Sequence, residues 1–311
     1  MTHQLKQPSQ RVSRRGVTDA LLVLVAIIWG SSYITTKDVV NHVPVLFFLM
    51  VRFGIAAIGF GLVGWQHLSR ATATTWLTGI SLGLFLTGIF VAETFGVKHT
   101  TAIAAGFLIS LNVVLVPWVE KWILHYPIHW ALMVSMVIAL GGTALVTSSH
   151  GGQFVVNLGD GLILLAASLR AIQMTVTKRW VSEERIDIIA LNVIQFMTVW
   201  IVCGGLTAIT SNSLTIINAL KSVSFWLVAG YLGLLGTVAA FVIQMVSIRH
   251  TSAARAALLL GLEPAFSALF GVIGGERLSL SSAIGGGLIV AGTLWGQQAE
   301  YRRRLEIENR T

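Results

Sequence analysis

The sequence predicts an all-α integral membrane protein whose ten transmembrane helices form two inverted five-helix repeats. Three observations lead to this fold class. Hydrophobic residues make up 55% of the 311-residue chain and charged residues only 11%, whereas soluble domains average about 25% charged residues. The apolar residues come in runs of about 20, and one phrase of the sequence occurs twice in the chain. Together these features favour a helical bundle in a membrane over a soluble fold.

Ten apolar segments are each long enough to cross ~30 Å of hydrocarbon as a helix. The first segment follows basic residues, as a secretion signal would, but it is too long and continues through the polar stretch SSYITTK. We therefore expect it to be retained as a helix. The ten segments lie near residues 19–37, 44–64, 76–96, 101–124, 128–147, 158–177, 187–209, 225–248, 253–275 and 281–299.

The placement of basic residues predicts the orientation in the membrane. Of the 21 Lys and Arg residues, 15 fall in the tails and loops on the side of the N-terminus, and 4 fall on the opposite side. The positive-inside bias then places both termini in the cytoplasm of a multi-pass protein of the cell inner membrane. The net charge of +8 is therefore a topology signal and not a sign of nucleic-acid binding. The expected partners are the lipid bilayer and a small-molecule substrate, and the sequence leaves open a monomer or a homodimer.

The duplicated phrase indicates an internal repeat. His99–Asn112 reads HTTAIAAGFLISLN, and His250–Glu263 reads HTSAARAALLLGLE, with six of fourteen positions identical. A second likeness, between ALGGTALV (139–146) and IVAGTLWG (289–296), has an offset of 150 instead of 151. Self-similarity at a fixed period of this length indicates a duplicated structural unit.

This duplication predicts the domain organisation and favours transport. We expect a first repeat at 17–150 and a second at 151–299, between cytoplasmic tails at 1–16 and 300–311. Because five helices is an odd number, homologous halves must insert upside down relative to each other, around a pseudo-two-fold axis in the membrane plane. Such inverted repeats are typical of carriers that work by alternating access.

Small residues and prolines mark the predicted helices. The stripes Ala102, Gly106, Ser110 and Ala253, Ala257, Gly261, Ala265, with the pairs Gly79/Gly83 and Gly271/Gly275, should let helices approach closely. Pro117 and Pro264 fall inside the fourth and ninth predicted helices. Each should kink its helix or free a carbonyl group that could bind a ligand.

Few ionisable residues lie far from the ends of the predicted spans: these are Arg52, Arg170 and Glu263, with Glu93 nearer the outer end of its helix. Each would cost at least ~2.5 kcal/mol if it faced lipid, so each should face the interior, a partner or water. For Arg52 we expect an internal ion pair that fixes helix packing or takes part in coupling. Glu263 takes the pseudo-symmetric place of Asn112 beside Pro264, and there we expect it to bind substrate or a proton, or to join an ion pair.

Further polar side chains lie on single faces of the predicted helices. Trp29, Tyr33 and Lys37 recur at a spacing of four, with Ser32 and Thr36 beside them. Arg170, Gln173 and Thr177 form another stripe. Such faces in apolar helices point to the bundle interior. The predicted substrate-binding residues are Trp29, Ser32, Tyr33, Glu93, Asn112, Arg170, Gln173, Gln244 and Glu263.

Motifs for catalysis, metals or cofactors are weak. His125 and His129 stand in HYPIH, which lacks the Glu of the HExxH zinc motif. Gly285–Gly287 lacks the strand and lysine of a phosphate loop, and we interpret it as helix packing. We predict no catalytic residue, no metal and no cofactor. Besides a solute carrier, two alternatives stay open: a translocase for lipids or lipid-linked precursors, and, less favoured, an integral-membrane enzyme.

Five stretches carry a family resemblance: WGSSY, RFG (52–54), AGFLISLNVVLVP (105–117), GLEPAFSALFGVIGGERLS (261–279) and GLIVAG (287–292). In their order and spacing they resemble the EamA-type branch of the drug/metabolite transporter superfamily. The resemblance implies a bacterial inner-membrane carrier with a central cavity lined by both halves. It also implies small organic substrates, often amino acids and related metabolites, and frequently export.

Two positions depart from that family pattern. Glu93 stands where the family often has Gln, and His125 stands where the repeat would place the counterpart of Glu276. The overall expectation is a secondary transporter, most simply an exporter, of an amino-acid-like or aromatic metabolite, with or without proton coupling.

Overall fold

All regular secondary structure in the described part of the chain is helical. The computed structural model describes residues 8–124, 130–148, 157–184, 186–248, 256 and 259–308. The helices are α1 (Pro8–Val40), α2 (Val45–Leu68), α3 (Ala73–His99), α4 (Ala102–Ile109), α5 (Leu111–Leu124), α6 (Trp130–Ser148), α7 (Leu158–Glu184), α8 (Ile188–Thr210), α9 (Ser213–Lys221), α10 (Val223–Gly230), a π-helical segment (Tyr231–Ala239), α11 (Ala240–Ile248), α12 (Glu263–Ile273) and α13 (Leu280–Glu308).

Eight of the predicted spans are confirmed as helices that are long and apolar enough to cross a membrane. They are Val17–Val40, Val45–Ser69, Ala73–His99, Ala102–Leu124, Trp130–Thr147, Leu158–Val181, Ile188–Thr210 and Val223–Gln244. The ninth predicted span is represented by α12, a shorter apolar helix of 11 residues. The tenth falls on α13, a helix of 29 residues that is not among the eight.

The first-half and second-half helices interdigitate in one bundle. The most extensive packing joins α6 to α13, α2 to α8 and α3 to α7, and α12 packs on both α1 and α4. Glycines allow close approach at these contacts. A Cβ atom added to Gly79 or Gly83 of α3 would lie only 2.7 Å from Ile194 or 2.6 Å from Thr198 of α8. The predicted role of this glycine pair in helix packing is therefore confirmed.

Each copy of the repeated phrase contains a helix interruption. The first lies at Ser110, between α4 and α5, and the second lies at Gly261 and Leu262, directly before α12. Ser110 and Gly261 are separated by the 151-residue offset of the phrase itself. Most of the second copy, residues 250–255 and 257–258, lies outside the described residues.

These interruptions correct the predicted position of two residues in the ninth span. Pro264 occupies the first turn of α12 and not the interior of a continuous helix, and in the first turn its missing N–H costs no helical hydrogen bond. Gly275 does not belong to a helical packing pair, because it lies after α12 with φ of 89°. Pro117 does lie inside a helix, but the chain is interrupted seven residues earlier, at Ser110.

Candidate functional site

Five side chains from five helices form a polar cluster inside the bundle, which we call the interior cluster. Its members are Tyr33 (α1), Arg52 (α2), Glu93 (α3), Arg170 (α7) and Glu263 (α12), and their mutual electrostatic interactions place them together. The structure thus brings together the four ionisable residues that the sequence placed within spans, and it adds a tyrosine.

Two short contacts in the interior cluster cross between the halves. The Tyr33 hydroxyl donates a hydrogen bond of 2.7 Å to Oε1 of Glu263. One terminal nitrogen of the Arg170 guanidinium lies 2.6 Å from Oε2 of Glu93 in a salt bridge. The Arg170 and Glu93 side chains are only 22% and 13% exposed. A charge-assisted pair with this little exposure is screened far less than a surface pair.

Arg52 lies beside these pairs and forms no ion pair with any residue that the structure describes. It is buried, and its guanidinium carbon lies 5.0 Å from the ring centre of Phe90 and 5.5 Å from that of Phe53. Both distances are within the range of cation–π attraction. Its Nε is buried without a hydrogen-bond acceptor. The ion pair expected for Arg52 is therefore not found among the residues that the structure describes.

One face of α1 forms a seam with the second half. Besides Tyr33, the indole Nε1 of Trp29 donates to the carbonyl oxygen of Gly236 at 2.9 Å, and Nζ of Lys37 lies 2.7 Å from Oε1 of Glu276. Gly236 belongs to the π-helical segment, a type of distortion that is frequent at functional sites. The predicted shared face of Trp29, Tyr33 and Lys37 is thus observed, and all three polar ends are engaged.

The other predicted binding residues form no hydrogen bond with the interior cluster in the described residues. The hydroxyl of Ser32 donates to its own helix, at the carbonyl of Trp29. Gln173 is buried and donates to the carbonyl of Leu82 and to Oε1 of Gln195, both at 3.1 Å. Asn112, in the first turn of α5, and Gln244, in α11, are half-buried. No hydrogen bond of either side chain to the interior cluster is found in the described ranges.

A second polar group, which the sequence did not predict, lies one helical turn beyond Tyr33 along α1. We call it the outer layer, because the orientation predicted from the sequence would place it on the outer side of Tyr33, and it centres on Glu276. The Glu276 carboxylate accepts hydrogen bonds from Lys37 Nζ (2.7 Å), the backbone N–H of Ala102 (2.8 Å) and that of Ile103 (3.0 Å). Ser267 also donates to the carbonyl of Ala102 at 2.8 Å. The second half thereby caps the first turn of α4 in the first half.

The remaining predicted features lie apart from these groups. His125 and His129 fall in residues 125–129, outside the described ranges. Gly285 and Gly286 of the glycine run approach Gly142 and Phe107 closely, which confirms that they serve helix packing.

Comparison with known proteins places this chain in a family. The sequence model of the EamA-like transporter family matches twice, at residues 17–148 and 157–295. The chain belongs to the EamA-like transporter family. Two proteins of Archaeoglobus fulgidus, each named an uncharacterized transporter, are similar to it. One is 26% identical over 265 residues (83% of this chain and 78% of the relative), and the other is 23% identical over 288 residues (88% and 95%).

A solved structure supports the same fold. It is titled "Crystal structure of protein", is 20% identical in sequence and superposes with a TM-score of 0.64, covering 93% of this chain and 99% of that one. This EamA-like protein is therefore a multi-pass membrane transporter by family and by its apolar helices. The same findings point to transport and away from enzymatic activity.

Proposed function

We propose that this EamA-like protein is a secondary transporter that exports a small organic metabolite, amino-acid-like or aromatic, across the bacterial inner membrane by alternating access. In this proposal both termini are cytoplasmic and the interior cluster contacts the substrate. The interior cluster also contains Glu263, a carboxyl group that could bind and release a proton during transport.

The observation that carries the proposal is that the interior cluster is assembled from both halves. Tyr33 bonds to Glu263 between α1 and α12, and Arg170 bonds to Glu93 between α7 and α3. Ionisable groups at membrane depth are costly and mark substrate or ion pathways. When two halves move relative to each other, contacts that cross between them are the ones that change.

The packing of the bundle supports an inverted repeat. In the proposed ten-span order, α2 and α8 are the second spans of the two halves, and α6 and α13 are the fifth. Equivalent elements that pack on each other, as α2 with α8 and α6 with α13 do, are expected around a pseudo-two-fold axis. The interruptions at Ser110 and Gly261 also fall at equivalent positions of the two halves. Such interrupted helices are typical of carriers with inverted repeats.

The outer layer supports alternating access. Lys37 and the first turn of α4 belong to the first half, whereas Glu276 belongs to the second. In the proposed orientation this layer lies between the interior cluster and the outside. An outward-opening movement would have to break the contacts of Glu276, and a reverse movement would restore them.

Reconstitution in liposomes tests the proposal. Purified protein would be given a panel of labelled L-amino acids and aromatic acids, with and without a pH gradient, and uptake would be compared with that of protein-free liposomes. We expect flux of at least one solute, and loss of most of that flux in Glu263→Gln. The substitution His67→Gln serves as the matched control, because His67 lies in the last turn of α2, where it forms an exposed pair with Asp187. Absence of flux for every solute would refute the carrier proposal.

A further inference from the structure

We propose that Arg52 binds an anionic group of the substrate, so that the transported solute carries a carboxylate. This inference rests on the proposed transport function and adds a substrate class to it. It assigns Arg52 a binding role in place of the structural ion pair that the sequence predicted.

The first step is that Arg52 is a buried cation whose donors are unused. The residue is 7% exposed, and in the described part of the chain its guanidinium has no salt bridge and no hydrogen bond. A buried charge without a partner is strongly destabilising. An arginine in this environment is therefore expected to acquire an anion when the protein works.

The second step is that the nearby acids are already engaged. Glu93 holds Arg170 at 2.6 Å, and Glu263 accepts the hydrogen bond of Tyr33 at 2.7 Å. Arg52 interacts with Glu93 only over a longer distance, and Arg170 repels it. The interior cluster thus has one guanidinium more than its close ion pairs use. Although the cluster holds two arginines and two glutamates, Glu263 is engaged by Tyr33 and not by a cation, so Arg52 has no close counter-ion in the described residues and fits an anion supplied from outside the protein.

The third step concerns the shape of the guanidinium and its surroundings. Arg52 lies against the rings of Phe53 and Phe90, which hold its guanidinium by cation–π attraction. In the described residues the N–H edge of this guanidinium forms no hydrogen bond, and its Nε is buried without an acceptor. That edge can bind a carboxylate through two parallel hydrogen bonds. Phe90, which is only partly buried, also offers apolar surface for the rest of an organic acid.

Matched acid and amide ligands test the assignment. Protein in lipid nanodiscs would be heated with each of the twenty L-amino acids, acetate and benzoate, and each acid that raises the unfolding midpoint would be compared with its amide, for example L-phenylalanine with L-phenylalaninamide. We expect at least one acid to raise the midpoint and its amide to fail. In Arg52→Gln the acid should bind at least tenfold more weakly.

A second variant covers the case in which Arg52→Gln does not fold. Arg52→Lys keeps the charge but loses the planar fork, so we expect binding of the acid to be weakened and not abolished. His67→Gln should bind the acid like the unmodified protein.

The outcomes separate this inference from the proposed function. If solutes are transported but acids and amides bind equally well, or Arg52→Gln binds the acid normally, the inference is wrong and the transport proposal stands. Failure of every acid to raise the midpoint would also overturn the inference. If an acid binds through Arg52 but no solute crosses the membrane, Arg52 remains an anion-binding residue, whereas the transport proposal fails.

Discussion

The Tyr33 hydroxyl bonds at 2.7 Å to the carboxylate of Glu263, the first residue of α12. The two residues are separated by 230 positions in the sequence, and Tyr33 is buried. A carboxylate at the first turn of a helix is stabilised by the free N–H groups there. Glu263 is therefore held from two sides, by its own helix and by α1. Any movement between α1 and α12 must change its surroundings.

Removal of the hydroxyl tests the structural part of this relationship. In Tyr33→Phe a half-buried carboxylate loses its hydrogen-bond donor, and leaving such a group unsatisfied costs up to about 1–3 kcal/mol. We expect the free energy of unfolding in detergent, measured by chemical denaturation, to fall by that amount. By contrast, Glu263→Gln keeps an acceptor for Tyr33 and should retain most of the stability.

The same glutamine variant tests the functional part. If Glu263 carries a proton during transport, Glu263→Gln should lower flux and remove its dependence on pH in the liposome assay. Unchanged flux together with unchanged pH dependence would assign Glu263 a structural role only.

The outer layer predicts a difference between two substitutions. Glu276→Ala removes the acceptor for Lys37 and for two backbone N–H groups of α4, and because the charge pair is only partly buried the cost should be at most the about 3–5 kcal/mol of a fully buried pair. Lys37→Met should cost less, because Glu276 keeps its helix-capping bonds. Thermal unfolding in detergent measures both changes. Equal destabilisation by the two substitutions would mean that the capping bonds contribute little.

The stability of the fold should depend on pH through Asp187, which lies at the end of α8 that we expect to be cytoplasmic. Burial acts to raise the pKa of the Asp187 carboxyl, but hydrogen bonds from His67 and from the backbone N–H groups of Ala190 and Ile189 outweigh it, so the pKa is lowered from its usual value near 3.8. A carboxyl group with a lowered pKa stabilises the fold at pH values above its unfolded pKa. That contribution is lost as the pH falls through the folded pKa.

Two variants isolate this contribution. Asp187→Asn keeps the N-cap of α8 but cannot ionise, so its stability should be lower than that of the unmodified protein at pH 6, and the gap should narrow as the pH falls below the usual pKa of an aspartate near 3.8. Asp187→Ala also loses the cap and should cost about 0.5–2 kcal/mol at every pH. Denaturation curves between pH 3 and 7 give both values. A constant gap for the asparagine variant would contradict the proposed ionisation.

The sequence could predict which residues of the interior cluster are unusual, but not which residues they contact. Arg52, Arg170 and Glu263 are conspicuous because a charge inside an apolar run is costly wherever the helix lies. The hydrogen-bond partners of these residues could not be predicted from the sequence. Tyr33 meets Glu263, and Ala102 meets Glu276, only because helices that are distant in the sequence pack together. The absence of a close partner for Arg52 is equally a property of the assembled bundle. The break at Ser110 has no proline or glycine at that position to signal it.

Gly106 lies at a tight contact between the two halves in the outer layer, and enlarging it should destabilise the protein. A Cβ atom at this position would overlap Oγ and Cβ of Ser267, the residue that donates to the Ala102 carbonyl. We therefore expect Gly106→Ala to lower the free energy of unfolding by about 1–3 kcal/mol or more, because neither helix can move away without losing other contacts.

Two further substitutions make the Gly106 test specific. Gly287→Ala in α13 is the matched control, because nothing lies within 4 Å of its added Cβ and alanine is the better helix former by up to ~1 kcal/mol. Combining Gly106→Ala with Ser267→Gly removes the overlapping atoms and should recover part of the loss, although it also deletes the bond to Ala102. If Gly106→Ala is as stable as Gly287→Ala, α4 and α12 are not in contact as the structure has them.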